Sequence, residues 1–121
     1  MHELSVAQAL VEQVEQIVQA QHAKTATLVR VRIGALSGVV PALLASAFPM
    51  AAAGGTAETA KLEWLDAPIR VYCQTCGAES NATANRLLCG ACGDWHTQVI
   101  SGDELILESV ELEMKEVKES V

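Results

Sequence analysis

Aromatic side chains are nearly missing from this chain: one Phe, one Tyr and two Trp among 121 residues. Half of the residues are hydrophobic all the same, so the core must be aliphatic, built from Ala, Val, Leu and Ile. A core of that kind in so short a chain is marginal alone, and a further staple is expected beside it. Long apolar runs are missing as well. None reaches the ~18–20 residues of a membrane-spanning helix, and the longest candidate, 39–53, is interrupted by Pro41 and Pro49. No membrane role is expected. The opening Met1-His2-Glu3 has no basic start and no apolar core of roughly 7–15 residues, so it does not read as a signal peptide, and a cytoplasmic chain is expected.

Positive charge is scarce. Eight basic residues face 15 acidic ones, for a net charge of −7. Much of the excess sits late, at Glu104, Glu108, Glu111, Glu113, Glu116 and Glu119. Proteins that bind nucleic acid show a basic stripe that neutralises phosphates. Within 70–99, Arg70 and Arg86 are cancelled by Glu79 and Asp94, which counts against that class. There is also no Ser/His/Asp set, no phosphate loop and no convincing pair of carboxylates. Catalysis is not expected.

What the chain does have is four cysteines, all inside one stretch. Cys73-Gln74-Thr75-Cys76-Gly77 is followed by Cys89-Gly90-Ala91-Cys92-Gly93. A Cys-x-x-Cys turn aims two sulfurs at one point, and a second such turn completes a tetrahedron of thiolates, the ligand set of a closed zinc site. Gly77 and Gly93 follow the second cysteine of each pair, where a left-handed backbone lets N–H groups point at sulfur. Two disulfides would need an oxidising compartment. A thioredoxin-like dithiol would need one Cys-x-x-Cys at a helix start, not two matched ones. Iron also accepts four thiolates, but only Tyr72 and Trp95 are at hand to wall off a redox centre. Zinc at Cys73, Cys76, Cys89 and Cys92 is the expectation.

Around this stretch the pattern predicts helix, strand, helix, strand, zinc module, strand. Val6, Leu10, Val14, Ile17 and Val18 keep helical spacing from a capping box at Ser5-x-x-Gln8 to about Gln21. Thr27–Ile33 alternates as a half-buried strand. Pro41 suits the first turn of a second helix, with Ala42, Leu43, Leu44, Ala47 and Phe48 as its stripe. Pro49 is expected to end or kink that helix, unless the alanines after it carry on for a turn. Lys61–Leu65 alternates again. In Glu104–Met114 the residues Ile106, Val110, Leu112 and Met114 are assigned one face, with Glu108 out of place in that parity, which predicts a bulge or an edge. A strand resuming after the cysteines makes the zinc module an insertion. The fold class expected is α+β: a small three-stranded sheet with two helices on one face, plus an inserted four-cysteine zinc-ribbon module. The domains are then 1–67 with 100–121, and 68–99.

His2 stands where the amine of Met1, its own backbone nitrogen and its imidazole can close adjacent chelate rings around one ion. Deprotonated amides give a planar nitrogen field that suits Ni(II) or Cu(II), and the amide of Glu3 offers a fourth corner. A bulky second residue argues that Met1 is retained. His22 reads as a cap on the first helix's last carbonyls, and His96 as a surface residue rather than an auxiliary ligand.

Met1-His2-Glu3-Leu4-Ser5, Val31-Arg32-Ile33-Gly34-Ala35-Leu36-Ser37-Gly38-Val39, the two Cys-x-x-Cys-Gly turns and Val99-Ile100-Ser101-Gly102-Asp103-Glu104-Leu105 together resemble the HypA/HybF family, in its order and over essentially the whole chain. These are nickel metallochaperones of hydrogenase maturation. The resemblance implies Ni(II) as transient cargo at His2, with the backbone nitrogens of His2 and Glu3 and the amine of Met1. It implies structural Zn(II) at the four cysteines. It also implies delivery to the large subunit of a [NiFe] hydrogenase in concert with a HypB-type GTPase and, for some members, service to urease and its accessory proteins. The competing readings are a zinc-ribbon nucleic-acid-binding or transcription module, an iron electron carrier, and a purely structural zinc protein with an inert His2. Monomer and homodimer both fit the pattern, since an edge strand near the C-terminus permits strand exchange.

Overall fold

A computed structural model of the chain describes residues 3–115. Of the three residues expected at the nickel, Met1 and His2 lie outside the described residues and Glu3 within them. The first helix, α1, spans Glu3–Ala20 and buries Ala7, Leu10, Val11, Val14 and Val18. The spacing is helical as expected, but Ala7 and Val11 are buried while Val6 and Ile17 are only half-buried. The start differs: the helix begins before Ser5, so the capping box does not form its entrance. Glu3 stands at the positively polarised end instead, and its carboxylate accepts the Val40 N–H at 3.5 Å. At the far end His22 takes a left-handed backbone, φ 53°, and its N–H donates to the Gln19 carbonyl at 3.1 Å. The backbone of His22 thereby closes the helix in the way a glycine commonly does.

Strand β1, Ala23–Gly34, is longer than its alternating stretch predicts. Val29, Val31 and Ile33 are buried, while Arg30 pairs with Glu63 at 3.3 Å. The second helix, α2, covers Pro41–Ala52 with Pro41 in its first turn. It runs through Pro49 to Ala52. Pro49 has no N–H to give the Ala45 carbonyl four residues back, and burial of Leu44, Ala47, Phe48 and Ala52 holds both halves of the helix to one face. α1 packs against α2. Strands β2, Lys61–Ala67, and β6, Leu105–Met114, complete a sheet in the order β2-β1-β6.

β6 corrects one expectation and supports another. Leu105 and Leu107 are the sheltered residues in its first half, Val110 and Leu112 in its second. The parity changes across Glu108 and Ser109, as an extra residue in a strand requires. Ile106 is therefore on the exposed side, and Met114 is exposed too.

Between β2 and β6 lies a second, antiparallel sheet, in the order β4-β3-β5: β3 is Arg70–Cys73, β4 Glu79–Asn81 and β5 Thr97–Ser101. Val71 faces Ser80 on one side and Val99 on the other, and is fully buried. By backbone proximity the chain forms two compact units, Met1–Val31 with Val40–Glu63 and Leu107–Val121, and Arg32–Val39 with Trp64–Ile106. The second reaches beyond 68–99 at both ends and takes in the turn after β1. Backbone bonds show why: Gly34 N–H donates to the Glu104 carbonyl and Leu36 N–H to the Gly102 carbonyl, both at 2.8 Å. Two of the segments that carry the family resemblance thus meet. The architecture is the α+β class with an inserted cysteine module.

Candidate metal centre

The cysteines come from two copies of one turn. β3 delivers Cys73, and the chain reverses so that Gly77 N–H donates to the Cys73 carbonyl at 2.9 Å; Gly93 N–H does the same to the Cys89 carbonyl at 2.9 Å. Gly77 and Gly93 share φ 77°, left-handed in both cases. Inside each turn a backbone N–H faces sulfur. Cys76 N–H donates to Cys73 Sγ at 3.4 Å, and the N–H groups of Ala91 and Cys92 to Cys89 Sγ at 3.4 Å each. Such bonds stabilise negative charge on the first sulfur of each pair.

All four sulfurs lie within 4.8 Å of one another. Across the two turns, Cys73 and Cys92 approach to 3.6 Å, as do Cys76 and Cys89. A tetrahedral ion with metal–sulfur bonds of ~2.3 Å sets sulfurs ~3.8 Å apart, so the cage fits zinc with little adjustment. Four thiolates fill every position, leaving none for a substrate. Among the described residues no other cluster of metal-ligating side chains forms.

The protons of the metal-free cage are unevenly held. The Cys76 N–H holds the Cys73 thiol below its ordinary value. Those of Cys92 and Ala91 bring Cys89 down to about 6. Their neighbours carry the protons. Cys76 is raised because sharing with Cys89 and Cys73 outweighs its backbone bond to Ala78. At Cys92 a backbone bond from Asp94 pulls downward, but sharing with Cys73 and loss of water push the thiol up to about 12. A divalent ion displaces these protons when it enters.

Asp94 was missed by spacing rules and ties the two turns together. Its carboxylate accepts the Thr75 hydroxyl and the Trp95 N–H at 2.8 Å, while its carbonyl accepts the Cys89 N–H at 2.9 Å. The signal available was an acceptor side chain directly after Gly93. Thr75 first and His96 second hold the Asp94 carboxyl at about 2. His96 turns its Nδ1 to that carboxylate, 3.1 Å from both oxygens, and stacks on Trp95 with ring centroids 3.9 Å apart. Its imidazole is not among the grouped ligands. Glu3 is far less conspicuous: a half-buried residue at the head of α1, its carboxylate turned to the start of α2.

Comparison with known proteins places this arrangement. A family described as "Hydrogenase/urease nickel incorporation, metallochaperone, hypA" matches residues 1–112. The hydrogenase maturation factor HypA of Nitrosospira multiformis is 49% identical over 112 residues, 93% of this chain and 97% of its own length. That of Aquifex aeolicus is 41% identical over 114 residues, 94% and 99% respectively. The solution structure of the Ni metallochaperone HypA from Helicobacter pylori superposes with a TM-score of 0.71 at 26% identity, covering 95% of this chain and all (100%) of that one. With cysteine cage, fold and sequence in agreement, the chain belongs to the HypA family of hydrogenase and urease nickel-incorporation metallochaperones.

Proposed function

We propose that this chain is a non-catalytic nickel carrier acting in the cytoplasm. Ni(II) is its cargo, taken up by the His2 imidazole and the backbone nitrogens of His2 and Glu3, with the amine of Met1 as a further ligand. Zn(II) is the resident ion of Cys73, Cys76, Cys89 and Cys92. The nickel passes to the large subunit of a [NiFe] hydrogenase with the help of a HypB-type GTPase, and service to urease is the second outlet of the family. In domain terms, 1–67 with 100–121 handles nickel and 68–99 holds zinc.

The observation that carries this reading is the closed four-sulfur cage in a chain of this family. A saturated cage leaves no position for a cargo ion, so a transported metal needs other ligands. The head of α1 supports the choice of site. Glu3 is the first described residue of α1, and N–H groups in the first turn of a helix have no acceptor within it. Deprotonating that amide for a metal therefore breaks no helical hydrogen bond. Among the described residues no helix is long and apolar enough to cross a membrane. The net charge of −7 disfavours the nucleic-acid alternative.

The test is nickel titration of zinc-loaded protein with its native N-terminus, beside His2→Ala and a form extended by one residue before Met1. Loss of one tight nickel equivalent in both variants, with zinc unchanged, is the expected result. Equal binding by all three would place the nickel site elsewhere.

A further inference from the structure

Two turns hold the four sulfurs, and each supplies two of the four bonds of a closed cage. A ligand set divided in this way opens most directly when the turns move apart. The bonds from Gly77 N–H to the Cys73 carbonyl and from Gly93 N–H to the Cys89 carbonyl stay within one turn each. Bonds that cross between the turns come from the segment just after the second, Asp94 to His96. Its main chain is fastened to both: the Asp94 carbonyl accepts the Cys89 N–H at 2.9 Å, and the His96 carbonyl accepts the Gln74 N–H at 2.9 Å. A side-chain bond adds to these. The hydroxyl of Thr75, between the two cysteines of the first turn, donates to the Asp94 carboxylate. That carboxylate is held in place by other donors, accepting the Trp95 N–H at 2.8 Å and standing 3.1 Å from His96 Nδ1. The Asp94 side chain is only 23% exposed, so water competes poorly for it. An ionised acceptor fixed by its own neighbours gives a stronger hydrogen bond than a neutral, mobile one.

We propose that Thr75 and Asp94 are positioning residues that latch one cysteine turn to the other and set how slowly the cage gives up its ion. The latch rests on the reading of the cage as a metal centre, and it acts on the turns whichever divalent ion they enclose. Its action differs from that of the N–H groups aimed at sulfur. Those stabilise charge on individual thiolates, whereas the latch resists separation of the two pairs. Cys76 and Cys92, the exposed sulfurs, lie one in each turn. A competing chelator begins there, and the latch opposes the parting of the turns that lets it finish.

The test is the rate at which the metal-loaded full chain surrenders its ion to an excess of the chromogenic chelator pyridylazoresorcinol at neutral pH. Thr75→Val removes the hydroxyl at nearly constant volume and should speed release about tenfold. Thr75→Ser keeps the hydroxyl and should release at the parental rate. Asp94→Ala should release at least as fast as Thr75→Val, and adding Thr75→Val to it should change nothing further, because both remove the same bond. Cobalt(II)-loaded parent and Thr75→Val should share the same d–d and thiolate charge-transfer bands, as a distorted or partly unfolded cage would not. Equal release from parent and Thr75→Val would overturn the latch. So would independent, multiplying effects of the two substitutions, a Thr75→Ser protein as fast as Thr75→Val, or altered cobalt bands in Thr75→Val. The identity of the ion carried by the purified parent is a separate readout. An ion other than zinc would revise the zinc reading, while the order of release rates for any one ion decides the latch.

Discussion

Gly102 has no room on either side. Its backbone sits at φ 104°, and an added Cβ would come within 2.7 Å of Ile69 Cα. Across from it, a Cβ on Gly34 would overlap the Gly102 carbonyl. Gly102→Ala should destabilise the zinc-loaded protein by at least ~1 kcal/mol, since the left-handed region alone costs that much for an L-residue and backbone collision adds to it; Gly34→Ala should destabilise it through collision with the Gly102 carbonyl alone. The midpoint of urea unfolding measures this. Both glycines lie in segments that carry the family resemblance, but their contact was not legible there. It joins residues far apart in the chain through carbonyl and amide groups that no side-chain pattern records. The cysteines were legible for the opposite reason, because ligand spacing is written in side chains. Asp94 makes a second residue-level prediction. Its carboxyl is depressed to about 2, chiefly by Thr75, so its contribution is in place above the ordinary 3.8 and is lost only as pH falls toward about 2. Its ¹³C carboxyl shift should stay flat between pH 7 and 4, and Thr75→Val should make it begin to titrate there.

At the scale of elements, α2 carries an avoidable cost. Pro49 sits inside a continuous helix and is exposed, so its ring contributes no core packing. Pro49→Ala restores an N–H donor to the Ala45 carbonyl, and a gain of roughly 1–3 kcal/mol is expected, read as a raised thermal midpoint. Periodicity gave the existence and order of α1, β1, α2, β2 and β6, most plainly in α1 and β1, where a face of consistent spacing is buried. It failed where spacing changes within an element. In β6 the apolar residues switch parity at Glu108–Ser109, so a uniform reading assigned Ile106 to the wrong side. The misfit of Glu108 was the trace of that switch. The short strands β3, β4 and β5 were hidden in a different way: they are held by main-chain pairing beside a cage, with Val71 as the one fully buried aliphatic among them.

On the scale of the whole molecule, the two compact units differ in what holds each together. One has a true aliphatic core, with Val14, Val29, Val31, Leu44 and Phe48 almost wholly buried. The other has little beyond Ile33, Ile69, Val71 and the two inner sulfurs, too small a core to stand without a staple. Chelation of the metal should therefore leave the far-UV helical signal largely intact while the amides of residues 70–101 lose protection from hydrogen exchange. Loss of both together would show that the helices depend on the metal as well. The family was legible from sequence because its motifs span the chain.

In each turn one cysteine is buried and the other exposed: Cys73 and Cys89 inside, Cys76 and Cys92 outside. The cage thus has an inner and an outer rim. Oxidants and competing thiols arriving from solvent meet the outer sulfurs first, where damage begins as reversible sulfenic acid or mixed disulfide. The inner pair, covered by β3 and its neighbours, keeps its thiols through that first insult. A cell that restores the outer rim recovers an intact cage, so the protein's weakest chemistry is placed where it is easiest to repair.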